Sequence, residues 1–241
     1  MTREAMTEPP RCSKEEALAL TTTLQSATES METRCAACDT LFQFTKLDSA
    51  CAVLCSAGGI HAVINALKNA MDCDALLKST IFTLRNLYRF DPKLTSIVVR
   101  LQEGISAMLE GLREHIHSDD TELLHALLTL LSDVAHNAAN VQVLVKENGT
   151  AVILASVLAH LKNAALLFPA LNLLVAISRH TQHIPTLVRE GGVPAVLAAI
   201  LAHLRRVEIL RAALTILRNI VADEQSALRL GGYAGMKCEV P

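Results

Sequence analysis

The sequence predicts an all-α solenoid of three-helix repeats, and three observations carry that prediction. Glycines recur at Gly59, Gly104, Gly149, Gly192 and Gly232, spaced 45, 45, 43 and 40 residues apart. A self-similar period in the forties marks stacked helical repeats. Each glycine precedes an apolar stretch at helical spacing, clearest where Glu190-Gly191-Gly192 leads into Val193-Pro194-Ala195-Val196-Leu197. Apolar residues make up 51% of the chain, aromatics 3%, and Trp is absent. A core of Leu, Ala, Val and Ile suits helix packed on helix.

The first elements are read as a lead-in and a cap. Residues 1–12 carry Pro9-Pro10 and no apolar period, so a disordered lead is expected. Ser13-Lys14-Glu15-Glu16 fits a capping box, in which a hydroxyl and a carboxylate satisfy orphan first-turn amides. The helix it opens carries Ala17, Leu18, Leu20 and Leu24, and a second is expected over 32–46. Together, residues 13–47 resemble a repeat without its first helix, which suits the end of a stack.

Complete units are expected at about 48–92, 93–138, 139–180 and 181–222, followed by a truncated unit over 223–232 and an irregular tail over 233–241. Each unit reads as short helix, glycine bend, middle helix, long helix. In the first, a glycine of the Gly58-Gly59 pair takes the left-handed conformation that costs other residues more. Its long helix runs over 75–89, with Leu76, Leu77, Ile81, Leu84 and Leu87 on one side. Later units place short helices at 94–102, 141–146 and 184–189 and middle helices at 105–115, 151–161 and 194–204. Their long helices fall at 121–136, 164–178 and 207–222. Pro194 suits a first turn, whereas Pro169 should kink its long helix or mark a late start. Ser118 or Asp119 is expected to cap the helix at 121.

Charge and length exclude some classes of function. With 22 Lys and Arg against 24 Asp and Glu, the chain lacks the net basic charge of a nucleic-acid binder. No charged-then-apolar leader opens the sequence. The longest nearly apolar run, residues 164–177, is interrupted by Pro169 and Asn172 and falls short of the roughly 18–20 residues a membrane span needs. A cytoplasmic location is expected, with nuclear or cytoskeletal and ciliary placement as alternatives. Neither a phosphate loop, a nucleophile elbow, a zinc-protease helix nor a dinucleotide fingerprint occurs, so no enzyme and no cofactor is expected.

The seven cysteines do not form an even secreted framework. Cys35-x-x-Cys38 with Cys51-x-x-x-Cys55 could bring four thiolates to zinc. Small side chains on the buried faces of helices explain the same spacing more simply, so no metal is expected. Cys73 and Cys238 add nothing to either reading. His115, His160 and His203 each fall eleven residues after a glycine, where imidazoles are expected to cap the carbonyls of their own helices.

Three helices per unit, a glycine bend before the second and a third helix ending Leu-x-Asn-Leu or a variant resemble the armadillo-repeat family. The residues that carry the resemblance are Ala57-Gly58-Gly59-Ile60 with Leu84-Arg85-Asn86-Leu87, and Glu190-Gly191-Gly192-Val193 with Leu217-Arg218-Asn219-Ile220. It covers residues 13–232 and implies a right-handed superhelix whose third helices line a groove for an extended peptide. There an Asn ladder pairs with ligand main chain, since a carboxamide both donates and accepts.

The ladder position maps to Gln43, Asn86, Asp133, Ala176 and Asn219, a partial ladder in which Asn172 stands one turn before the gap. The importin alpha branch sets Trp one turn earlier, but here those positions hold Asp39, Phe82, Thr129, Asn172 and Thr215, too few rings to cradle lysines. Three residues after the ladder stand Lys46, Arg89, His136, Arg179 and Ala222.

Two readings of this basic row follow. Cations interact favourably with helix C-termini, by about 0.3–1 kcal/mol; alternatively they receive an acidic partner. The second gives a scaffold whose groove residues are Asn86, Arg89, Asp133, His136, Asn172, Arg179 and Asn219. A different reading makes the chain part of a larger cytoskeletal or ciliary assembly docked through its ends or convex face. The apolar C-terminal unit, unclosed by residues 233–241, predicts self-association or docking there.

Overall fold

The computed structural model describes residues 13–26, 28–70, 73–91 and 102–223. The expected lead over 1–12, all but the last residue of the short helix over 94–102, the bend at Gly232 and the tail over 233–241 lie outside them. The described residues form α-helices, one 3-10 turn and no strand, and contacts divide the chain into two compact units at Ala107/Met108.

In the first unit, α1 (Lys14–Gln25) and α2 (Met31–Phe44) pair and are followed by α3 (Asp48–Ser56), α4 (Gly59–Lys68) and α5 (Asp74–Phe90). The capping box forms: Ser13 Oγ accepts from the Glu16 amide at 3.1 Å and Glu16 Oε2 from the Ser13 amide at 2.9 Å. α1 packs on α4 and α2 on α5, so like stacks on like. Leu76, Leu77, Ile81, Leu84 and Leu87 are all buried, as their spacing requires.

α6 (Gln102–His115) begins in the first unit and ends in the second. It starts before Gly104 rather than after it, so this glycine sits inside a helix, where an added Cβ would lie an ordinary 3.5 Å from Ile64.

The second unit continues with α7 (Thr121–Val134), α8 (Ala138–Lys146), α9 (Gly149–Ala159) and α10 (Ala164–Ser178). A 3-10 turn (Thr181–His183), α11 (Ile184–Arg189), α12 (Gly192–Ala202) and α13 (Val207–Ala222) complete it. Long helices form one row, α7 on α10 on α13, and α9 packs on α12 beside it. α10 lies between α7 and α13 and is apolar nearly all round. α13 ends the row and leaves Leu214 and Val221 exposed.

The bend between short and middle helices has two parts. Gly58 (φ +77°), Asn148 (φ +59°) and Gly191 (φ +91°) take the left-handed conformation that reverses the chain. The residue after each opens the middle helix and must lack a side chain. A Cβ on Gly59, Gly149 or Gly192 would stand 2.8, 2.6 or 2.7 Å from the carbonyl oxygen of Leu54, Leu144 or Leu187. Close approach lets the helices meet at 82° for α3 and α4 and at 83° for α8 and α9. Glu190, before the third bend, has a buried Oε2 with no partner among the described residues. Desolvation pushes its carboxyl above the ordinary range, against Arg189 at 4.0 Å. Its contribution to stability is therefore largest at acid pH and falls as pH rises.

Two expectations are corrected. Asp120, not Ser118 or Asp119, caps α7, accepting from the Leu123 amide at 3.0 Å while Ser118 Oγ accepts from the Asp120 amide at 3.1 Å. α10 starts at Ala164 and runs through Pro169, so no late start occurs. Pro169, itself buried, removes the bond to the carbonyl of exposed Ala165, while buried Leu166, Leu167, Ala170 and Leu171 hold the helix between α7 and α13. Among the described residues no single helix is long and apolar enough to cross a membrane.

Candidate partner-binding faces

On the first unit, Asn86 and Arg89 lie one turn apart near the end of α5. Half-buried Asn86 donates through Nδ2 to Thr45 Oγ1 at 3.1 Å, and that buried hydroxyl donates onward to the Phe42 carbonyl at 2.8 Å. Thr45 thereby receives from one long helix and satisfies the last turn of the preceding one. Lys46 Nζ donates to Gln43 Oε1 at 2.6 Å and lies 4.8 Å from the centre of the Phe42 ring, which packs against Phe82 at 5.6 Å. Thr45, Lys46, Asp48, Asn86, Arg89 and Phe90 line a pocket of about 340 Å³.

The second unit repeats the same device. Asn219 of α13 donates through Nδ2 to Ser178 Oγ at 3.0 Å, and Ser178 donates to the Val175 carbonyl at 3.0 Å. In both units the acceptor hydroxyl stands two residues beyond the preceding ladder position. The sequence reading selected the asparagines but missed Thr45 and Ser178; the shared spacing of a hydroxyl 41 residues before each Asn was the available signal. Each Asn uses one amide hydrogen, leaving the other and Oδ1, which in Asn219 is 3.4 Å from an Arg218 guanidinium nitrogen.

The remaining predicted residues divide. Asp133 and Asn172 are half-buried on α7 and α10, and the gap residue Ala176 is buried. His136 Nδ1 lies 3.1 and 3.0 Å from the Ser132 and Asp133 carbonyls, where it caps its own helix. Arg179 is the exposed C-cap residue of α10, and Arg89 is exposed near the end of α5. Neither arginine has an ion-pair partner among the described residues.

The histidine expectation is corrected in the same unit. His160 Nε2 reaches the Ile116 carbonyl at 2.7 Å, and His203 Nε2 reaches the Leu161 carbonyl at 2.7 Å. Each imidazole binds the residue that follows the preceding histidine of the series, tying one repeat to the next instead of capping its own helix.

The four-thiolate arrangement does not form. Cys35 lies beside Cys73, with sulfurs 3.5 Å apart, and Cys51 donates to the Thr45 carbonyl at 3.3 Å. Cys73 therefore belongs to a cysteine cluster that spacing alone had left it out of. Among the described residues no three His, Cys, Asp or Glu side chains converge as metal ligands.

These repeats match the family described as CCP1-like, N-terminal TPR repeats over residues 11–224. The chain belongs to that family. Helical repeats are common to this CCP1-like family and to the resemblance drawn from sequence, but the family is described by TPR repeats rather than armadillo repeats. No curated protein matches the CCP1-like chain by sequence.

Two solved structures share its fold. One comes from work on a phosphorylation switch that controls the interaction between cadherin and beta-catenin, with TM-score 0.75 and 17% identity over 90% of this chain. The CCP1-like chain spans 42% of that protein's length. The other is an engineered protein solved in a structural-genomics programme, with TM-score 0.54 and 18% identity over 86% of this chain and 97% of its own. The fold is an all-α helical-repeat array of the kind protein-interaction scaffolds use, and families of that kind are generally non-enzymatic.

Proposed function

We propose that these CCP1-like repeats are of armadillo type and serve as a non-enzymatic scaffold that takes acidic, extended partner segments on the C-terminal ends of the long helices. Three helices per repeat and bends of 82° and 83° support the repeat type; a TPR unit has two helices in about 34 residues. One observation carries the function. Asn86 and Asn219 are held in place by a hydroxyl of the preceding repeat, with hydrogen-bonding capacity left over; exposed Arg89 follows Asn86 by one turn, and exposed Arg179 adjoins Ser178, the anchor of Asn219. Such fixed carboxamides suit main chain, and the guanidinium groups suit carboxylates. The chemistry selects acidity and extension in the ligand but no protein by name.

Selection of displayed random twelve-residue peptides tests the reading. Enriched peptides should be rich in Asp and Glu, and Arg89→Glu with Arg179→Glu should weaken each selected peptide at least about tenfold, the effect of losing roughly 1.4 kcal/mol. Equal affinity for variant and parent, with matching helical circular dichroism, rejects binding at these helix ends.

A second reading, docking or self-association through the last repeat, rests on one feature. Leu197, Leu201, Val207, Leu214 and Val221 are exposed on α12 and α13, Leu201 by 73%, and Leu204 is exposed in the turn between them. Light scattering should show the mass rising with concentration and Leu201→Glu/Leu214→Glu restoring a monomer. A parent that stays monomeric throughout rejects self-association.

A further inference from the structure

Cys35 and Cys73 are 38 residues apart in sequence, yet their sulfurs approach to 3.5 Å. Cys35 sits in the second turn of α2, and Cys73 is the N-cap residue of α5, the helix against which α2 packs. Both are half-buried free thiols, whereas Cys38 and Cys51 are buried. Two thiols in contact across two packed elements, both within reach of small molecules, differ from cysteines that only fill space.

We propose that Cys35 and Cys73 form an oxidative modification site, a dithiol that a peroxide converts to a disulfide stapling α2 to α5. A disulfide sulfur–sulfur bond is about 2.05 Å long, so closure brings the two sulfurs roughly 1.5 Å closer than their 3.5 Å contact. Sulfur of one thiolate attacks peroxide, the O–O bond breaks, and a sulfenic acid and hydroxide result. The other thiol's sulfur then attacks the sulfenic sulfur; the S–S bond forms, the S–O bond breaks, and the departing hydroxide takes the thiol proton as water. Two thiols and one peroxide give one disulfide and two waters; the sulfur pair loses two electrons and the peroxide gains them.

Burial, and then Cys73 itself, pushes the Cys35 thiol up to about 11. At neutral pH the Cys35 thiol is therefore mostly protonated, so only its small thiolate fraction attacks and the reaction with peroxide is slow. The closed loop holds α3 and α4, so the bridge restricts the unfolded chain and should raise the unfolding midpoint on the order of 10 °C. α2 and α5 also carry Thr45, Lys46, Asn86 and Arg89 at their other ends. The staple thus fixes the helix pair on which the first binding face is built.

The test uses the full chain with Cys12→Ser and Cys238→Ser, treated with hydrogen peroxide. Intact mass should fall by two hydrogens, the peptide map should join Cys35 to Cys73, and dithiothreitol should reverse both changes along with the rise in unfolding midpoint. Cys73→Ser should give oxygen adducts at Cys35, no crosslink and no rise. The proposal is overturned by a map joining Cys35 to Cys38 or Cys55. It is also overturned if both thiols still react with iodoacetamide once Cys55 has been oxidised. The mass readout on the Cys12→Ser/Cys238→Ser protein decides the matter even where Cys73→Ser folds poorly.

Discussion

Gly149→Ala and Gly192→Ala should each destabilise the second unit by about 2–3 kcal/mol, the range for forcing atoms into a filled site. The added methyl would stand 2.6 Å from the Leu144 carbonyl in one case and 2.7 Å from the Leu187 carbonyl in the other, with leucine side-chain atoms almost as near. Backbone cannot yield as a side-chain tip can, so the short and middle helices must separate. Gly191→Ala tests the other half of the bend. Its Cβ would meet only the Pro194 ring at 3.9 Å, but φ is +91°, and such strain costs about 1–2 kcal/mol. Urea unfolding with an unchanged m-value should therefore rank Gly192→Ala as more damaging than Gly191→Ala. The opposite order would show that backbone conformation, not helix approach, fixes the glycine. Since whole domains hold only about 5–15 kcal/mol, a change of this size should be plain in any denaturation curve.

His160→Ala with His203→Ala should cost about 2–4 kcal/mol together, because each leaves a carbonyl of the preceding repeat without its imidazole donor. The two bonds meet at adjacent residues, His160 donating in one and Leu161 accepting in the other, so the double loss should differ from the sum of the single losses. Repeat arrays are stabilised by terms between neighbours. Weakening these contacts should therefore lower the m-value and broaden the transition as well as shift its midpoint. Glutamine can donate from a similar reach, so His203→Gln should recover part of the stability. An unchanged midpoint in the alanine variants would mean that the Ile116 and Leu161 carbonyls find other donors at no cost.

Much of the array was legible because its determinants are local and recur. Leu76, Leu77, Ile81, Leu84 and Leu87 declare a buried helix side by spacing alone, and Ser13 with Glu16 declares a helix start. Asp120 escaped because three residues in a row, Ser118, Asp119 and Asp120, can all serve as caps and only backbone geometry chooses among them. Pro169 marks no late start, for a different reason. Its intrinsic cost is local, but packing of its neighbours on α7 and α13 outweighs it.

The candidate binding faces divide the same way. Asn86, Arg89, Arg179 and Asn219 follow from repeat register, whereas their hydroxyl anchors Thr45 and Ser178 belong to the preceding repeat. A bond across 41 residues leaves no trace in local periodicity.

By itself, the sequence determined the class of structure: helices, their order, their apolar sides and the period that stacks them. All of these follow from side-chain spacing within one helix and from which residues tolerate a bend. Tertiary structure decided which side chains meet. It sent His160 and His203 to carbonyls of the preceding repeat, drew Cys35 to Cys73 instead of to Cys38, and made Gly149 and Gly192 sites of close approach while Asn148 and Gly191 turned the chain. The physical reason is common to all three. Hydrogen-bond, thiol and steric contacts act over a few ångströms, and only the packing of one helix on another brings residues tens of positions apart within that range.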